Sequence, residues 1–294
     1  MGKENAIKIK ECQCALSKSG TLKSALRHIR TASLCHEVYR HYTTLDALLG
    51  MIKGGSMWLT LGKSAKLDDS QEREKFGSSE CWRRTYLASF VHDVEESAAM
   101  WGLYCKGSKT AVCLSFPLNA VKKWTKVLHK IAKNGNGVLV NPQKGNEAIQ
   151  KPIDEVEVVD IAYADVARQG YSDRERRNFI AWCDERSHKI ASLKSDVASS
   201  EVTGMLKDYE WNFEHETRVL ARLKMAVPHA SRIALPLHDM MLKNMTITFG
   251  PWLVRKNKQK FEEKIEEAMN ARRIYDHIRT FESNLTGALR QWGC

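Results

Sequence analysis

The chain has 294 residues, of which 43% are hydrophobic and 28% charged, with 46 Lys plus Arg against 35 Asp plus Glu and a net charge of +11. A chain of this length buries a core without a disulfide or metal staple, and its composition excludes disordered and collagen-like classes. The basic balance either attracts a polyanion, nucleic acid or anionic lipid, or serves solubility alone.

Residues 1–36 read as a basic helical extension, with the helical spacing of Ser24–Arg30 supplying cations. A strand follows over Glu37–Tyr42. Thr44 is placed to cap the next helix, in which Leu45, Leu48, Leu49 and Ile52 share a face, and Gly54-Gly55 ends it. Ser56–Leu61 is a second strand. The polar stretch 63–80 lacks periodicity and reads as a surface loop with at most one helical turn.

Arg84–Val91 and Lys109–Phe116 read as strands on either side of a short helix, Glu96–Cys105. Leu118–Lys133 is a basic amphipathic helix, and Glu155–Ala164 alternates as a strand does. Residues 172–206 are charged and helical in pattern, which predicts a helical insertion. Strands return at Glu216–Leu223, Ser231–Leu237 and Met245–Gly250, and Lys256–Ile278 is a long amphipathic helix within a helical C-terminal segment, 255–294. Strands in scattered groups between short helices predict an α+β domain, 37–254, with a mostly antiparallel or mixed central sheet.

None of the eight cysteines forms a C-x-x-C pair, so a zinc site is not expected and the thiols read as reduced. The first twenty residues hold no apolar core of signal-peptide length, and Ala6 stands where a myristoylation motif places Ser or Thr. No apolar run reaches membrane-spanning length. The expectation is a soluble, cytoplasmic protein with no membrane partner.

Three segments carry candidate chemistry. YRHYTT, Tyr39–Thr44, ends a strand with a histidine and hydroxyls. A neutral His41 can donate to a ribose hydroxyl, or sit satisfied at a strand end. Met100, Trp101 and Tyr104 can stack on a flat ring, or pack a core. In DYEWNFEHETRVL, Glu210, Glu214 and Glu216 are read at strand spacing with Arg218 continuing the row. Acids crowded in that way need a cation, a proton or a cationic transition state beside them, which marks a site; a solvated edge strand is the alternative.

With these residues in view, the chain resembles a bacterial family, domain of unknown function 2971, grouped with ADP-ribosyltransferase-like folds. The resemblance lies in YRHYTTLDALLGMIKGGSMWLT, in YLASFVHDVEESAAMWGLYCKGSKTAVCLSF, and in YEWNFEHETRVL followed by ITFGP. It implies an ADP-ribosyltransferase-like split central β-sheet with surrounding helices. NAD would be the substrate, with Glu216 as the catalytic glutamate of an E-x-E motif and Glu214 orienting or deprotonating the acceptor. His41, or its neighbour Arg40 on the opposite strand face, would hold the ribose beside Tyr42. Thr43 and Thr60 would contact the cofactor, Trp101 or Tyr104 would wall the nicotinamide pocket, and Arg218 or a cation of the 63–66 loop would hold the pyrophosphate. Where the family carries an N-D-P-like turn, this chain reads LDDSQE, Leu67–Glu72.

The resemblance implies a mono-ADP-ribosyltransferase acting on nucleic acid or protein, of a type that includes toxins and anti-phage effectors, which can have an antitoxin or other regulatory partner protein. NAD hydrolysis and a non-catalytic nucleic-acid-binding module are the other readings, the second resting on basic clusters at Lys122-Lys123, Arg174–Arg177 and Arg255–Lys260.

Overall fold

The computed structural model describes residues 2–62, 72, 78–142, 149–164, 177–181, 191–194, 201–274 and 278–289. Three helices open the chain, α1 (Gly2–Ser17), α2 (Leu22–Ala32) and α3 (Leu45–Gly54). The strands in chain order are β1 (Val38–Thr44), β2 (Ser56–Leu61), β3 (Thr85–His92), β4 (Ala111–Pro117), β5 (Gly137–Pro142), β6 (Ile149–Asp160) and β7 (Ala162–Ala164). Then come β8 (Arg177–Ala181), β9 (Ala191–Lys194), β10 (Leu206–Asp208), β11 (Glu216–Leu223), β12 (Ala230–Pro236), β13 (Thr246–Phe249) and β14 (Arg279–Glu282). The class is α+β, as the element pattern predicts. Contacts divide the chain into two interleaved units. Unit 1 is Met1–Glu37, Leu59–Ser89 and His129–Ile233; unit 2 is Val38–Trp58, Phe90–Leu128 and Ala234–Cys294. Both units are built from separated stretches, because strands distant in sequence pair with one another.

In unit 1, Thr21 caps α2 by accepting a hydrogen bond from the Ser24 amide at 3.2 Å. Leu22, Ala25, Leu26, Ile29 and Ala32 form one buried stripe on α2. They pack with Cys12 and Leu16 of α1, Val159 of β6, Leu220 of β11 and Met205. The basic extension is thus helical and is part of a core. β11 runs antiparallel to β6, from Thr217 opposite Asp160 to Leu223 opposite Ile153, and β6 runs antiparallel to β5. Every residue of β11 is buried, so both of its faces are covered. β2 pairs with β3 at Thr60 and Leu61.

A smaller sheet has the order β10-β7-β8-β9. Within 172–206 the described residues thus include strands at Arg177–Ala181 and Ala191–Lys194, which corrects the helical insertion expected there. Pairing with β7 overrides the helical bias of a stretch rich in Arg, Glu and Lys. The rest of 172–200 lies outside the described residues.

In unit 2, β1 is antiparallel to β4 along its whole length, from Val38 opposite Pro117 to Thr44 opposite Ala111. β4 continues to β13, and β13 pairs in parallel with β14. Thr44 caps α3 through the Ala47 amide at 3.3 Å, and Gly55, at φ 59°, closes it in the left-handed conformation that glycine adopts without strain. The C-terminal helix runs only from Lys258 to Ala271, and Arg279–Glu282 is a strand where helix was expected. No described helix is long and apolar enough to cross a membrane. Cys12, Cys14, Cys35, Cys81, Cys105 and Cys113 carry reduced thiols.

Candidate active site

The acidic motif sits where β10 turns into β11. Asp208 ends β10 and caps a 3-10 turn, Tyr209–Glu214, by accepting from the Glu210 amide. His215 then takes φ 45°, an uncommon conformation for a bulky residue, before β11 begins at Glu216. This turn, and not strand alternation, brings Glu214 and Glu216 inward together. Glu210 is exposed on the turn, so the expected row of three acids reduces to two.

Glu214 is 0% exposed and Glu216 is 2% exposed, and both meet cations. Lys207 of β10 bonds Glu214 and lies 3.7 Å from Glu216 Oε2. The Trp211 ring lies 4.4 Å from Lys207 Nζ, in cation–π range. Arg218 Nε donates to Glu216 Oε1 at 2.6 Å, and Nη2 donates to Glu216 Oε2 at 3.0 Å. The same guanidinium bonds Glu72 through Nη1, and through Nη2 at 3.0 Å, and gives Nη1 to the Gly204 carbonyl at 3.2 Å. The Glu216 amide donates to the Tyr163 hydroxyl at 2.8 Å.

Three buried carboxyl groups thus share two cations, which forces their proton affinities apart. Burial pushes the Glu216 carboxyl up, but the charges of Arg218 and Lys207, with hydrogen bonds from Arg218 and Ser89, outweigh it and hold the group at about 2. Burial pushes Glu72 up, and there the single fork of Arg218 does not compensate. Burial and the neighbouring Glu216 and Glu214 raise the Tyr163 phenol well above its ordinary range. Arg218 is 1% exposed and is committed to two carboxylates, an arrangement that fixes the orientation of Glu216. Of LDDSQE, only Glu72 lies among the described residues; the 63–66 loop lies outside them.

A second buried network abuts the first. Thr217, between Glu216 and Arg218, donates to Asp160 Oδ1 at 2.7 Å. Asp160 Oδ2 lies 2.6 Å from His36 Nε2, and the Asp160 amide donates to Ser33 Oγ at 2.8 Å. The end of β6, the residues after α2 and the head of β11 are therefore tied at one carboxylate.

Sequence reasoning finds Glu214, Glu216 and Arg218, and misses Lys207, Glu72, Tyr163, Asp160 and His36. Lys207 stands seven positions before Glu214 and is within reach of the motif. The others stand more than fifty positions from the groups they meet and leave no short signature.

Thr60, the remaining unit 1 candidate, is half-buried on β2 opposite Leu87. The other cofactor candidates lie in unit 2. His41 is half-buried, its ring 5.3 Å from that of Phe90. Tyr42 packs edge-on against Trp101 at 4.9 Å, and its hydroxyl accepts from the Ser97 amide. Trp101 is 0% exposed and donates to Glu96 at 2.6 Å, so it is a core residue and does not wall an open pocket. Tyr104 is half-buried against the same cluster, and Arg40 and Thr43 are half-buried on β1.

No protein-family model and no curated protein matches the chain. Among solved structures, the chain is similar to Thermus sp. 2.9 DarT in complex with ADP-ribosylated ssDNA, at 10% identity and a TM-score of 0.34, over 84% of this chain and 94% of that one. It is similar to the same protein in complex with NAD+, at 11% identity and a TM-score of 0.31, over 84% and 95% of the two chains. The likeness to the complex with carba-NAD+ has 10% identity and a TM-score of 0.29, over the same shares.

Proposed function

We propose that the chain is an ADP-ribosyltransferase that takes NAD as donor and passes ADP-ribose to a macromolecular acceptor, a nucleic acid or a protein. The observation that carries the reading is Glu216, a carboxylate kept ionised and fixed in orientation by the Arg218 fork at the head of β11. When the nicotinamide–ribose bond breaks, its electron pair leaves with nicotinamide and the sugar becomes oxocarbenium-like. An anion that is already in place stabilises that charge without reorganising, and does so only in the transition state. The acceptor then bonds the anomeric carbon and gives up a proton, for which Glu214 is the candidate base. The W-x-F-E-x-E-x-R residues Trp211, Phe213, Glu214, Glu216 and Arg218 support the same assignment through the family resemblance. The resemblance gives the cofactor contacts to His41 or Arg40, and to Tyr42, Thr43, Thr60 and Tyr104, and substitutions there should raise KM for NAD more than they lower kcat.

The burial of the ion cluster favours a second reading, in which Lys207, Glu214, Glu216, Arg218 and Glu72 staple β10 to β11 in a non-catalytic module. Purified protein with NAD separates the two. The proposal expects nicotinamide release and transfer of labelled ADP-ribose to RNA, DNA or protein, with activity lower by at least about 100-fold in folded Glu216→Gln. Free ADP-ribose without a labelled macromolecule would make water the acceptor. No release from the folded wild-type protein, or release that survives Glu216→Gln, would sink the assignment.

A further inference from the structure

The stripe of α2 that faces away from its core carries Lys23, Arg27 and Arg30, all exposed. These three line a cavity of about 330 Å³ with Leu26, Thr31 and Glu201. The lining therefore holds three cations and one acid. We infer that this face of α2 binds the phosphate backbone of a nucleic-acid strand; if the reaction proposed above is right, it is where the acceptor is held.

Two local features of the helix favour an anion beside it. Lys23 and Arg27 stand at i and i+4, a spacing that sets like charges one above the other. Lys23 lies in the first turn, where no acidic residue is present and a cation opposes the helix dipole. A polyanion along the helix relieves both penalties. Lys23 and Arg30 are separated by about 10 Å along the axis, near three nucleotide rises of a strand.

Arg30 is also held ready. Its Nε lies 3.3 Å from Glu157 Oε1, and its Nη2 lies 3.4 Å from Met205 Sδ. A guanidinium fixed before binding loses less rotamer freedom on binding. An anionic membrane fits the same charges less well, because the apolar stripe of α2 is spent in the core and none is left to enter a bilayer.

The test uses the full chain without NAD, so that its result and that of nicotinamide release can fail separately. Anisotropy of a fluorescent single strand of about 20 nucleotides, DNA or RNA, is followed as salt is raised. Lys23→Gln/Arg27→Gln changes exposed residues and should keep the fold, checked by circular dichroism. It should lower the slope of log K against log salt by about 1.4, about 0.7 for each phosphate that is no longer neutralised. Adding Arg30→Gln should lower it further. Lys122→Gln/Lys123→Gln, on the helix Leu118–Lys133, should leave the slope as it is. An unchanged slope in the double variant, a lower slope only in the Lys122/Lys123 variant, or binding confined to phosphatidylserine vesicles would overturn the inference.

Discussion

Arg218 grips Glu216 from two residues further along the same strand, Nε to Oε1 at 2.6 Å and Nη2 to Oε2 at 3.0 Å, and turns its outer edge to Glu72. Each of these side chains is buried. Lysine keeps the charge but has no planar fork, so Arg218→Lys would lose the paired hydrogen bonds to the two carboxylates. Arg218→Met, which removes the charge as well, should cost about 3–5 kcal/mol, the range for removing one partner of a buried ion pair. Urea denaturation measures it; a cost near zero would mean that the fork is not formed in solution.

The two carboxylates on that guanidinium should respond to pH in opposite senses. Glu216, held at about 2, lies below its unfolded value, so the stability it contributes is present above the ordinary carboxylate range and is lost as pH falls through about 2. Glu72 is raised, so its contribution is present below the ordinary range and is lost as pH rises through its folded value. Thermal melting of Glu216→Gln should accordingly lie closer to wild type at acid pH than at neutral pH. Glu72→Gln should also lie near wild type at acid pH, where Glu72 is protonated, and should gain on wild type as pH rises. Parallel profiles for the two variants would contradict the division of charge within the cluster.

What is legible in the sequence is local. Thr44 as a cap, the stripe of α3 and the strands around β1 and β11 follow from side-chain period and capping chemistry, which a window of about ten residues contains. The E-x-E acids stand out, but the turn that joins them does not, because Tyr209–Glu214 has the alternating residues of a strand and the conformation of a 3-10 helix. The strands β8 and β9 escape notice since their charged neighbourhood favours helix and only pairing makes them strands. The partners of Arg218 and Asp160 stand up to 146 and 127 positions away, beyond any spacing rule.

Asp160 accepts from Thr217 and meets His36 while fully buried, so its substitution leaves several groups unsatisfied at once. Asp160→Asn should destabilise the protein by about 2–4 kcal/mol, more than Thr217→Val, for which about 1–2 kcal/mol is expected from the removal of one hydrogen bond. Denaturant midpoints of the two variants give the ordering. If Asp160→Asn is as mild as Thr217→Val, Asp160 is not the point that ties these elements.

Lys207 and Glu214 form a buried pair whose value depends on what is removed. Lys207→Met leaves Glu214 without its cation and Glu216 with Arg218 alone, and should cost about 3 kcal/mol or more. Glu214→Gln leaves Lys207 with Glu216 at 3.7 Å and the Trp211 ring at 4.4 Å, so it should cost less. In Lys207→Met/Glu214→Gln no charge of the pair remains to be buried alone, and part of the stability should return. The coupling energy from urea denaturation of the cycle should exceed about 1 kcal/mol, within the range for residues that share a network. Additive costs would mean that Lys207 serves Glu216 chiefly, and that Glu214 is held by its place in the turn.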